Sequence, residues 1–140
     1  MSTTVGDKTP AQLFALVFGV IYLVVGLVGF AVTGFDNFAS EVPGEKLIVF
    51  AINPLHNIAH LGVGVLLLIG SSRHETAKSV NLMVGIVYLL LAILGFAGIL
   101  IEDLLNINSA DNFLHIATAA LAIFFGTAGA TARTGAARTA

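Results

Sequence analysis

Charged positions fall along this chain in clusters, separated by long apolar runs. Four stretches, 9–35, 47–72, 79–101 and 112–132, contain no Asp, Glu, Lys or Arg; they are 27, 26, 23 and 21 residues long. A hydrocarbon core about 30 Å thick is crossed by about 20 apolar residues in helical conformation, so each stretch can supply a spanning helix. The pattern predicts an all-α, four-transmembrane-helix bundle forming a single domain over 1–140, with spans at about 11–34, 53–71, 79–101 and 111–131. Pro10 suits a helix start because the first turn has no use for its missing N–H. Pro54 lies inside the second apolar run, and the favoured reading places Asn53 at the N-cap and Pro54 at N1. Leu47–Ile52 is then an interfacial lead-in, and Ser109 or Asp111 is expected to cap the last helix.

Composition narrows the class. The chain is 57% hydrophobic and 10% charged, against roughly 25% charged in an ordinary soluble domain. That excludes a soluble enzyme, a nucleic-acid binder and a disordered chain. With no cysteine, disulfides, thiolate metal sites, iron–sulfur clusters and c-type haem are excluded too. The first apolar run exceeds the roughly 7–15 residues of a signal-peptide core, so it is read as a mature span. Lys8, Arg73, Lys78, Arg133 and Arg138 fall on one side of the spans and Lys46 alone on the other. The positive-inside bias therefore places both termini in the cytoplasm. Asp36, Glu41 and Glu45 in one outer loop, with Glu102, Asp103 and Asp111 in the other, make the outer face acidic.

The two halves of the chain resemble each other. A shift of 66 superimposes Gly19-Val-Ile-Tyr22 on Gly85-Ile-Val-Tyr88 and Gly29-Phe30 on Gly95-Phe96. A shift of 59 sets Asn53-Pro-Leu-His56 against Asn112-Phe-Leu-His115. Each half is two helices, so both enter the membrane in the same direction: two parallel-repeat helical hairpins about an axis along the membrane normal. His56 and His115 are then expected at one depth.

The segments Asn53-Pro-Leu-His-Asn-Ile-Ala-His60 and Asp111-Asn-Phe-Leu-His115, together with the four-span layout, resemble a family of small bacterial, largely actinobacterial, integral membrane proteins of unknown function. The resemblance implies four helices and a bacterial cytoplasmic (inner) membrane, and it carries no activity.

Polar residues within spans are costly and usually face the bundle interior. His56 and His60 are four apart on one face of the second helix, as are Asp111 and His115 on the fourth. Asn53 and Asn57 occupy the neighbouring strip. Three imidazoles and a carboxylate make a plausible shell for a transition metal held by His56, His60, His115 and Asp111. In the haem b version, His56 and His115 would be the axial pair. The simpler reading is hydrogen-bonded packing between helices, with Asn53, Asn57, Asn112, Tyr22 and Tyr88 as polar packing residues. An ion path is least favoured, because no carboxylate lies deep in a span. Thr118, Ala122, Gly126 and Ala130 form a small-residue stripe for close helix approach, and His74 is expected to be solvated. The leading expectation is a non-enzymatic membrane protein with a structural or accessory role and no cofactor. It would be embedded in lipid, self-associating or part of a larger complex. A metal- or haem-binding protein is the alternative.

Overall fold

The computed structural model describes residues 8–99, 101–127 and 129–130. Among them are five helices and one two-stranded hairpin: α1 (Pro10–Thr33), β1 (Lys46–Leu47), β2 (Phe50–Ala51), α2 (Pro54–Gly70), α3 (His74–Phe96), α4 (Ile101–Leu105) and α5 (Ser109–Gly126). Three of these, α1, α3 and α5, are long and apolar enough to cross a membrane. At 17 residues, α2 is apolar but shorter.

The helix starts follow from local chemistry. Thr9 caps α1 in a reciprocal box with Gln12, with Pro10 at N1. Asn53 caps α2 through its side-chain oxygen, with Pro54 at N1, as the sequence leads one to expect. Three boundaries differ from expectation. Helix α3 begins at His74, not 79, because a helix runs through surface charges: Glu75 sits well in a first turn and pairs with Lys78 at 3.3 Å. It ends at Phe96, and the short α4 follows. The cap of α5 is Asn108, boxed with Asp111 at N3, rather than Ser109 or Asp111. The end placed at 131, with Arg133 and Arg138, lies outside the described residues, and the small-residue stripe is helical as far as Gly126.

The helices associate chiefly as two pairs, α1 with α2 and α3 with α5, and α1 and α3 meet between the pairs. Glycines set the closeness of approach within each pair. A Cβ on Gly64 would lie 2.8 Å from the backbone nitrogen of Leu23, and one on Gly126 would lie 2.7 Å from that of Leu82. Small and polar residues line the interior, including Ala11, Ala15, Asn57, Asn81 and Asn112. Branched apolar residues such as Val24, Leu27, Ile69 and Leu90 face outward.

The segment before α2 is a tight antiparallel hairpin, with Leu47 opposite Phe50 and Ile48-Val49 as its two-residue turn. Ile48 has φ +63 and Val49 does not share the positive φ, the pattern of a type II′ turn that normally takes glycine first. Ile48 is also 86% exposed.

Candidate functional site

The buried polar residues divide into three groups. The first holds the loops together at the Asn53 end of the bundle. Asn53 Nδ2 donates to the carbonyls of Ser40 (3.1 Å) and Leu104 (2.9 Å). Asn106 Nδ2 donates to Ile52 O (2.8 Å), and Asn108 Nδ2 to Val49 O (2.9 Å). Loop carbonyls that would otherwise be orphaned are thereby satisfied.

The second group joins helices. Asn57, wholly buried, lies against Gly29 of α1 and donates to Thr33 Oγ1 at 3.0 Å. Asn112 of α5 lies against Gly95 of α3 in the same manner. Asn81 Nδ2 donates to the carbonyl of Ala11 at 3.0 Å. At the opposite end, Gln12 Nε2 donates to Ser71 O (3.1 Å), and His74 Nδ1 is hydrogen-bonded to Thr9 Oγ1 (2.9 Å). His74 therefore ties α3 to the cap of α1 instead of standing free in solvent.

The third group is a row of rings. His56 and His60, one turn apart, have their Nε2 atoms 3.2 Å apart. The His60 ring lies 5.2 Å from Tyr22, Tyr22 lies 5.6 Å from Tyr88, and Tyr88 meets His115 edge-on at 5.0 Å, all centroid to centroid. Tyr22 donates to Thr118 Oγ1 at 3.4 Å. Nδ1 of His56, of His60 and of His115 is buried with no hydrogen-bond partner among the described residues.

The convergence expected between the second and fourth spans is thus redistributed. Asn53 turns to the loops, Asn57 to α1 and Asn112 to α3, because each amide finds its contact on the helix or loop packed closest to it. His56 and His60 do meet, and His115 is linked to them through Tyr22 and Tyr88 and shares a cavity wall with His60. The Asp111 carboxylate accepts from the Asn108 backbone N–H at 3.0 Å. Among the described residues, no group of three or more His, Asp or Glu side chains is placed to hold a metal ion.

A cavity of about 150 Å³ lies beside this row, walled by α1, the β-hairpin and α5, with His60, Asp111, His115, Tyr22 and Thr118 among its lining residues. A cavity of that size takes a single aromatic ring, and His56 is not in its wall.

Several of these residues went unread in the sequence. Asn81 and Thr33 were legible in principle as isolated polar residues inside charge-free stretches. Asn106 and Asn108 were not, since loop asparagines are ordinarily solvated.

Residues 12–128 match the family described as Domain of unknown function (DUF4383), and the chain belongs to that family. No curated protein and no solved structure matches it.

Proposed function

We propose that this is a four-span integral membrane protein with a structural or accessory role, acting through self-association or within a larger membrane complex and without catalytic activity of its own. The observation that carries this reading is the inverted distribution of polarity. Asn57, Asn81 and Asn112 are at most 1% exposed, whereas Leu27 and Ile69 are 63% and 66% exposed. Water would drive the opposite arrangement, and a bilayer favours this one. In this reading α2 is the fourth span, only one residue shorter than α5. Asn57 and Asn81 act as fasteners between helices, each interhelical hydrogen bond worth about 0.6–2 kcal/mol, and Asn112 packs against Gly95.

The reading includes a parallel repeat of the α1–α2 and α3–α5 hairpins. It is supported by Gly29 with Asn57 beside Gly95 with Asn112, and by Tyr22 with His60 beside Tyr88 with His115. The packing register pairs Asn53-x-x-His56-Asn57-x-x-His60 with Asn108-x-x-Asp111-Asn112-x-x-His115. This is a shift of 55, not 59, and makes His60, rather than His56, the counterpart of His115. The basic residues support both termini in the cytoplasm of a bacterial cell, with the hairpin and α4 on the outer side.

Single cysteines at Ser40 and Ser72, both exposed, test the topology in a chain with none of its own. An impermeant maleimide applied to intact cells is expected to label S40C and spare S72C. Labelling of S72C would reverse the orientation, and labelling of both would remove α2 as a span. Chemical cross-linking in the native membrane tests the association: a ladder of multimers or a constant heterologous partner is expected, and a monomer throughout would reject the accessory role.

A further inference from the structure

We propose that the cavity between α1, the β-hairpin and α5 binds the ring head of a membrane quinone or its quinol. The inference rests on the reading of the chain as membrane-embedded, and not on its orientation or repeat.

Size comes first. About 150 Å³ accommodates one benzene-sized ring, which suits a benzoquinone head. The walls suit a flat ring: Phe18, Tyr22 and Phe50 line the space, and aromatic faces stack on such a head. The polar atoms select what the ring must carry. His60, His115 and Asp111 line the cavity, and His115 is only 4% exposed. A neutral imidazole has one donor and one acceptor nitrogen. It therefore serves both forms of the ligand, donating to a quinone carbonyl or accepting from a quinol hydroxyl. Asp111 on the same wall offers a further acceptor to a hydroxyl. A mostly apolar pocket with a few placed polar groups is the usual form of a small-molecule site.

Access from lipid completes the case. The outer wall of the cavity is the hairpin, and its tip residues Ile48 and Val49 are 86% and 53% exposed. An apolar tip held at a positive φ in a β-branched residue is a strained conformation of the kind that clusters at ligand clamps. Such a tip is at home against acyl chains, where the isoprenoid tail of the ligand would lie.

The chain has two tyrosines and no tryptophan, and both tyrosines belong to the ring row, so intrinsic fluorescence reports on the site directly. Full-length protein in phosphatidylcholine nanodiscs is titrated with a benzoquinone bearing a decyl tail, and then with its dithionite-reduced quinol. Quenching is expected to saturate at one quinone per chain, with the quinol competing and n-decanol not. His115→Leu is expected to weaken binding about tenfold, as for one lost hydrogen bond to a buried group. Val25→Phe, filling the cavity, is expected to abolish saturation, and Val28→Phe, which does not line the cavity, to leave it unchanged. Quenching that rises linearly and equally in all variants would overturn the proposal, as would displacement by n-decanol. Should His115→Leu fail to incorporate, the contrast between Val25→Phe and Val28→Phe decides alone. Failure here leaves the cysteine-labelling result untouched, and the reverse holds equally.

Discussion

Among the described glycines, Gly29 against Asn57 and Gly95 against Asn112 make the most demanding contacts. At both glycines an added Cβ would fall inside the facing amide group, so even a methyl forces the asparagine out of place. Overpacking of this kind costs about 1–3 kcal/mol, and here it also detaches a buried polar group. Gly29→Ala is therefore expected to lower stability in a detergent-unfolding titration by about that amount, and Gly95→Ala likewise. Combining Gly95→Ala with Asn112→Ala removes the clash, so the double variant is expected to be less destabilised than the sum of its parts. Strict additivity would mean that the two residues do not meet. Part of this contact was legible beforehand, since both glycines and both asparagines stand out in apolar surroundings. Which glycine faces which asparagine was not. That depends on loop length: the first connection is longer than the second, and the Asn-x-x-His motif alone does not say which glycine each asparagine reaches.

At the scale of elements, charge-free runs located every long helix but not its ends. A run stops where charge begins, whereas a helix stops where capping and backbone geometry allow, as Gly34 does after α1 at φ +56. The same reasoning read Asn53-Pro54 correctly, because cap and N1 proline are local signals; it passed over Asn108, whose cap to Asp111 is equally local but has no proline beside it, and whose Nδ2 reaches the distant Val49 carbonyl. The hairpin shows the limit most clearly. Nothing in Leu47-Ile-Val-Phe50 advertises a II′ turn, and the conformation is imposed by its surroundings, including the Asn108 amide on the Val49 carbonyl. A non-glycine residue in this region carries about 1–3 kcal/mol of strain. Ile48→Gly is accordingly expected to raise the melting temperature of the detergent-solubilised protein. The same substitution is expected to weaken binding of the decyl benzoquinone, because it removes the apolar tip beside the cavity. A lowered melting temperature would show that Ile48 is not strained and that its side chain contributes more than its backbone costs.

Over the whole molecule, the packing is uneven in a way that yields a direct experiment. Each hairpin is closely packed within itself, and fewer contacts join the two, chiefly α1 with α3 through the tyrosine pair and the bonds from Asn81 and His74. In a bilayer, helices form first and associate afterwards, so covalent continuity between α2 and α3 is not needed to bring the halves together. Fragments 1–72 and 73–140, expressed together, are expected to insert separately and to co-purify in mild detergent. The joining contacts are few and mix aromatic packing with hydrogen bonds, so the assembly should be sensitive to the loss of a single bond. Asn81→Leu removes the donor to the Ala11 carbonyl while keeping bulk, and is expected to reduce recovery of the partner fragment several-fold relative to an exposed change such as Ile93→Leu. Because the two hairpins resemble each other, fragment 1–72 alone is the telling control. It carries Tyr22 and His60 but lacks Asn81 and His74, so it can copy the aromatic contact and not the polar ones. Weak self-association of 1–72, displaced by 73–140, is the expected result. Self-association as strong as the mixed pair would mean that the tyrosine contact alone holds the halves together, and that Asn81 and His74 do not select the partner.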